Sequence, residues 1–230
     1  MTMSPPDPAN DASGHRARLR ARLIEGGPEA LLDHELIEYL LALAIPRKDT
    51  KPMARALLAE FGGLGPLLSA DAGALARAGL TDGVVAALKI AEASALRLLR
   101  TEISQRDVLS NWQALNAYLH ADMAHRAVER VRVLHLNSKN VLIRDELVSE
   151  GSIDQAAIHV RIVIKRALEL GSAALIIVHN HPSGDPEPSR QDIALTKELI
   201  AAAKPLGISV HDHIVVGAKA QASLRALGLI

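Results

Sequence analysis

The sequence contains no cysteine, and this absence removes several classes of functional site. Disulfides, thiolate zinc sites, iron–sulfur clusters and cysteine nucleophiles all depend on that residue. Ten histidines are the only nitrogen ligands that remain for a metal ion. A tight metal site in this chain must therefore be built from histidine and carboxylate side chains.

Excess charge and aromatic residues are also missing. The 26 Lys and Arg residues balance 26 Asp and Glu residues, so the formal net charge is zero. No protein-wide basic field attracts nucleic acid, and an aromatic content of 2% provides no platform on which single-stranded bases could stack. Any contact with DNA must be local.

No apolar run approaches the roughly 20 residues that a membrane-spanning helix needs. The longest runs cover residues 40–46 and 173–178. The first residues, MTMSPPDPANDASG, carry acids and prolines where a signal peptide would begin with positive charge. These features predict a cytoplasmic protein without a transmembrane segment, in agreement with the missing cysteines.

The chain has 230 residues, of which 49% are hydrophobic, which is enough for one large or two small domains. Residues 1–14 are rich in Pro, Ser, Asp and Asn and predict a disordered tail. Residues 15–102 show apolar spacings of three and four, broken by Gly and Pro, and predict a small all-α domain of short helices. The polar residues 103–110 predict a boundary ahead of a second domain at 108–230.

The second domain alternates strand and helix patterns. Residues 131–136 and 141–143 are β-branched segments around a turn and predict a hairpin. Helical spacing over 158–170 and 193–203 alternates with apolar strand patterns over 173–178 and 208–216. This alternation predicts an α/β domain.

The most informative segment reads VHNHPSGDPEPSRQD from Val178 to Asp192, where a buried strand ends and a helix begins. Side chains two residues apart on a strand point the same way, so His179 and His181 present two imidazoles from one face. Ser189 has the character of an N-cap, and Asp192 stands three residues later. The loop can therefore bring Asp192 back toward both histidines.

Two imidazoles and one carboxylate form a three-ligand set that leaves one position of a tetrahedral zinc ion open, which favours catalysis over a structural site. Zinc lowers the pKa of a bound water to about 7, but a nearby base must still move protons. The candidate bases upstream are Glu129, Glu146 and Glu150. The alternative is a purely structural role, in which Ser189 caps the helix, Asp192 is a solvated acid and the histidines lie at an exposed strand end.

The order His-x-His, seven residues, Ser, two residues, Asp resembles the signature of the JAMM (MPN+) zinc hydrolases. The block HNHPSGDPEPS resembles the RadC family more closely, a family associated by name with DNA repair. Further similar segments are HRARLR from His15, IPRKDTKP from Ile45, FGGL from Phe61 and DHIVVG from Asp212. The resemblance covers nearly everything after the tail. It implies a JAMM/MPN-type, cytidine-deaminase-like three-layer α/β domain.

The resemblance also implies zinc held by His179, His181 and Asp192, with Ser189 stabilising the oxyanion during hydrolysis of a peptide or isopeptide bond. The catalytic glutamate of JAMM proteins lies just ahead of an early strand, and the segment AVERVRVLHLN resembles the RadC version of that strand. Glu129 is the position that matches. Its alternative interpretation is a charge at a strand edge.

Asp212 and His213 lie in the last predicted strand, near enough for a supporting role. Zinc-bound imidazoles commonly donate their second N–H to a carboxylate or carbonyl, and Asp212 is one possible acceptor. Neither residue is predicted as a metal ligand. His135, His159 and His211 have no spacing that recommends them.

The N-terminal half resembles the helix-hairpin-helix segment of RadC proteins, with a hairpin at residues 78–83 that could bind DNA phosphates. Such hairpins usually read Gly, apolar, Gly, whereas here Gly79 is followed by Leu80, Thr81 and only then, after Asp82, by Gly83. A solvated surface is the default interpretation of the run Arg16, Arg18, Arg20 and Arg22. A competing hypothesis for the whole protein is a DNA-associated module whose metal site is structural or vestigial.

Overall fold

The computed structural model describes residues 8–104, 107–151 and 159–230. Its α-helices are α1 (Pro8–Gly26), α2 (Asp33–Ala44), α3 (Lys51–Phe61), α4 (Leu64–Ser69), α5 (Ala72–Arg77), α6 (Asp82–Ser104), α7 (Trp112–Met123), α8 (Val160–Glu169) and α9 (Arg190–Ala203). Its strands are β1 (Glu129–Leu136), β2 (Leu142–Gly151), β3 (Ala174–Asn180), β4 (Ser209–Val216) and β5 (Gln221–Ser223). Short 3-10 turns cover Pro28–Ala30 and Lys204–Leu206.

The chain divides into two compact units, Met1–Ser94 and Ala95–Ile230. The division falls inside helix α6, earlier than the boundary predicted at residues 103–110. None of the helices among the described residues is long and apolar enough to cross a membrane.

The first unit is helical, as the apolar spacing predicts. Its core brings together side chains that lie one helical turn apart, such as Ile37 and Leu41 of α2, with Leu57, Leu67 and Leu88. The carboxylate of Asp71 accepts a hydrogen bond from the Ala74 backbone N–H at 2.7 Å and caps α5.

Helix α1 begins at Pro8, so residues 8–14 of the predicted disordered tail are helical, while residues 1–7 lie outside the described residues. Proline is compatible with the first turn of a helix, because its missing N–H would have no partner there. For residues 8–14 the composition therefore predicts disorder, whereas the structure has the first turns of a helix.

The second unit is a five-stranded sheet in the order β2-β1-β3-β4-β5. The β3–β4 pair is parallel and the other pairs are antiparallel, so the predicted hairpin at β1 and β2 is confirmed. All seven residues of β3 are buried, as expected for a central strand covered on both faces.

Helices cover both faces of this sheet and make three layers. On one face, α7 packs through Leu115 and Leu119 against alternate strand residues such as Ile176 and Val178. On the other face, α8 and α9 pack against the intervening residues, which include Val133 and Ile177. This is the mixed α/β architecture that the sequence predicts, and His179 continues the row of Leu175 and Ile177 beneath α8 and α9.

Candidate metal centre

The two histidines of the motif meet where β3 ends. His179 is 2% exposed, and the backbone N–H of His181 donates to the Val216 carbonyl at 3.0 Å, which extends the β3–β4 pairing by one residue. The two Nε2 atoms lie 2.9 Å apart. Both imidazoles thus point to one place, as the strand alternation predicts.

Asp192 completes the cluster from the first turn of α9. Ser189 is the N-cap of that helix: its Oγ accepts the Asp192 N–H at 3.1 Å, and its own N–H donates to Asp192 Oδ2 at 2.7 Å. This reciprocal cap fixes the carboxylate, with Oδ1 at 3.4 Å from His179 Nε2 and Oδ2 at 3.8 Å from His181 Nε2. The predicted cap and the predicted return of Asp192 are both present.

These three side chains fit a divalent cation. One ligand atom from each lies within 4.8 Å of the other two, and no other such cluster occurs among the described residues. A tetrahedral ion with ligand bonds of about 2.0–2.1 Å separates its ligands by about 3.3 Å. The separations of 2.9, 3.4 and 3.8 Å bracket that value.

Hydrogen bonds behind the imidazoles orient their lone pairs. His181 Nδ1 lies 2.8 Å from the carbonyl oxygen of Asp185, which can only accept, so Nδ1 carries the proton and Nε2 keeps its lone pair toward the cluster. His179 Nδ1 lies 2.7 Å from His213 Nε2. The second partner of His179 is therefore His213, and the suggestion of Asp212 as acceptor is wrong.

Asp212 points elsewhere because neighbouring residues of a strand face opposite sides of the sheet. Its carboxylate accepts hydrogen bonds from the backbone N–H of Arg225 at 3.1 Å and from the Ser223 hydroxyl. It thus secures the turns that follow β4.

His213 is 1% exposed, and burial lowers its pKa well below the usual range, so this imidazole is neutral.

The charge state of Asp192 suits a metal ligand. Burial alone raises the pKa of its carboxyl group, but the hydrogen bond and charge of His179 together with the Ser189 N–H outweigh burial and lower the pKa below its ordinary value. The carboxylate is therefore ionised at neutral pH.

A close backbone contact holds the loop between His181 and Ser189. Gly184 has φ of +84°, and its N–H donates to the His181 carbonyl at 2.9 Å. A Cβ on Gly217 would lie 2.5 Å from the Gly184 carbonyl oxygen and 2.8 Å from Pro186 Cδ. Glycine is required at 217 because the loop packs directly on that backbone.

Glu129 stands beside the cluster at the start of β1. Because Val131 pairs with His179 in antiparallel register, Glu129 lies two residues along the same face, level with His181. Burial raises the pKa of Glu129, the charges of His179 and His181 partly offset this, and Asp192 raises it further. This carboxyl group therefore experiences the electrostatic field of all three cluster residues.

The alternative bases are engaged elsewhere. Glu146 accepts hydrogen bonds from Arg166 at 2.7 and 2.9 Å. Glu150 pairs with Arg130 at 3.0 Å. Neither carboxylate has a described contact with the three cluster residues, so Glu129 remains the predicted base.

The side chain of Asn180, between the two histidines, was not singled out by the sequence. It is 1% exposed, accepts the Arg130 N–H at 2.9 Å and donates to the Val128 carbonyl at 3.1 Å. Its amide therefore holds the peptide units on both sides of Glu129. The middle residue of His-x-His carries no periodic signal that would reveal this role.

The N-terminal features proposed for DNA contact give a mixed result. Gly79, with φ of +81°, lies in the turn between α5 and α6, where the hairpin was predicted. Two of the four arginines of the basic run are bonded within the unit: Arg16 donates to the Ile45 carbonyl at 3.2 Å, and Arg22 pairs with Glu35 at 2.7 Å. DNA binding remains a prediction.

The mixed sheet, with two histidines and an aspartate at a strand-to-helix junction, has the architecture of the JAB/MPN fold. A sequence model described as the RadC-like JAB domain matches residues 109–229. A UPF0758 protein of Rhodobacter capsulatus is 51% identical over 213 residues, which cover 92% of this chain and 100% of the relative. The UPF0758 protein SPO0054 of Ruegeria pomeroyi is 48% identical over 217 residues, 94% of this chain and 97% of the relative. The chain belongs to the UPF0758/RadC family.

Proposed function

We propose that this protein is a zinc-dependent hydrolase of peptide or isopeptide bonds. JAB/MPN domains are often metallohydrolases, and the observation that carries the proposal is the convergence of His179, His181 and Asp192 beside Glu129. Zinc is the metal expected for two imidazoles and one carboxylate with an open position. When bound, it supplies Lewis acidity and makes water more acidic.

Glu129 is suited to moving the proton. It accepts a proton from the attacking water as the water oxygen bonds to the carbonyl carbon of the substrate, and it returns that proton to the amine as the C–N bond breaks. A raised pKa makes this carboxylate a stronger base than an exposed glutamate. Asn180 fixes the backbone that carries it.

Ser189 is suited to the developing oxyanion. Its Oγ accepts the Asp192 N–H, which leaves the hydroxyl hydrogen available to donate to a substrate oxygen. Because the cap bond holds the side chain in place, this donor needs no reorganisation during the reaction.

The test compares cleavage products formed in a proteome-derived peptide and protein mixture by the zinc-loaded wild type and by Glu129→Gln. The amide keeps the size of the side chain but cannot accept the proton, so products should be lost while zinc content stays at the wild-type level. Glu150→Gln is the matched control, because Glu150 lies on the neighbouring strand and pairs with Arg130. Equal products from Glu129→Gln and wild type at equal zinc content would overturn the assignment.

A further inference from the structure

A line of buried polar contacts runs behind His179 and returns to the metal cluster. His179 Nδ1 meets His213 Nε2 at 2.7 Å, and His213 Nδ1 meets Thr196 Oγ1 at 2.6 Å. Thr196 Oγ1 in turn donates to the backbone carbonyl of Asp192 at 2.5 Å. His213 and Thr196 are each 1% exposed, so water cannot replace these partners.

The backbone carbonyl of Asp192, at the end of this line, decides which atom donates in each hydrogen bond. A carbonyl oxygen can only accept, so the Thr196 hydroxyl donates to Asp192 and must accept from His213 Nδ1–H. A neutral His213 with its proton on Nδ1 has a lone pair on Nε2. That lone pair accepts from His179 Nδ1–H, so Nε2 is the His179 nitrogen that faces the cluster, 2.9 Å from His181 Nε2.

We propose that Thr196, acting through His213, is a positioning residue that holds His179 in the tautomer whose Nε2 binds the metal. The inference rests on the proposed function in that it assigns a metal to Nε2, although the tautomer itself is set by the contacts of the metal-free chain. Partners of this kind typically contribute 10–100-fold to metal affinity.

Strand pairing and helix geometry bring His213 and Thr196, which are distant from His179 in sequence, into this line of contacts. Pairing of β3 with β4 places His213 opposite Ile177 and His179 opposite Val215, so His213 lies one step behind His179 on the same face. Thr196 stands one helical turn after Asp192 in α9. The side chains of His213 and Thr196 therefore link His179, the ligand on the strand, to the backbone of Asp192, the ligand on the helix.

The test compares Thr196→Val with Thr196→Ser. Valine keeps the shape but removes the hydroxyl, whereas serine keeps the hydroxyl and loses only a methyl group. In the metal-free wild type, long-range ¹H–¹⁵N spectra of the histidine side chains should show His179 and His213 each protonated at Nδ1. In Thr196→Val, His179 should show a mixture of tautomers, and competition with a zinc chelator should show about tenfold weaker binding. Thr196→Ser should match the wild type in both measurements.

Two results would overturn the proposal. One is a wild-type His179 that carries no proton on Nδ1 in the metal-free protein, a measurement that needs no variant to fold. The other is a folded Thr196→Val whose His179 tautomer is unchanged from the wild type. If the wild type bound no zinc at all, the proposed function would fail. The tautomer spectra would still show whether Thr196 and His213 hold the proton on His179 Nδ1.

Discussion

Replacing Asn180 by alanine should destabilise the second unit and displace Glu129. The buried amide makes two hydrogen bonds, one to the Arg130 N–H and one to the Val128 carbonyl. Each such bond contributes about 1 kcal/mol net, and unpaired groups that stay partly buried add to the loss. We expect the free energy of unfolding to fall by about 2–3 kcal/mol.

The assay is urea unfolding followed by tryptophan fluorescence. The only tryptophan of the chain is Trp112, which packs against the core of the second unit, so its emission reports on that unit alone. Asn111→Ala is a suitable control, because the hydrogen bond of its amide to the Glu102 carbonyl, at 3.3 Å, is exposed. The control should change stability by less than about 0.5 kcal/mol.

The same variant also tests the position of the base. Neither hydrogen bond of the Asn180 side chain involves a metal ligand, so zinc stoichiometry should be retained while hydrolysis falls. A loss of stability below about 0.5 kcal/mol would refute the reasoning, because two buried bonds cannot be removed at so small a cost.

Two further predictions concern stability. Tyr118→Phe removes a buried hydroxyl that donates to Asp145 Oδ2 at 2.5 Å. The free energy of unfolding, followed by tryptophan fluorescence, should fall by about 1–2 kcal/mol. An unchanged unfolding midpoint would contradict the role of this bond. The hydrogen bond from Arg22 lowers the pKa of Glu35 from 4.5 to about 2, so this pair stabilises the fold above pH 4.5 and the stabilisation is lost as pH falls toward 2. Since about half of the Arg22 side chain is exposed and solvent screens the pair, Glu35→Gln should cost up to about 1 kcal/mol at pH 7. The cost should fall progressively on acidification when unfolding is followed by circular dichroism, and a cost independent of pH would contradict this prediction.

The sequence predicts the site well where its signal is local. His179 and His181 are two residues apart on a strand, and Ser189 and Asp192 are three residues apart at a helix start, so short-range geometry brings each pair together. The buried run of β3 likewise predicts a central strand without knowledge of its neighbours.

The residues that the sequence did not reveal depend on strand pairing or on close packing between distant segments. Thr196 reaches His213 only because β4 lies beside β3, and Asn180 reaches residues 128 and 130 only because β1 lies on the other side. Gly217 is required by a loop more than 30 positions earlier. The sequence places Asp212 and His213 both near the site, and which of the two faces His179 follows only from the sheet register.

The most direct test of the central claim is a zinc titration of the metal-free protein, compared with the double variant His179→Ala/His181→Ala. We expect one zinc ion per chain for the wild type and no stoichiometric zinc for the double variant, because Asp192 alone cannot hold the ion. One zinc ion per chain in the double variant would contradict it.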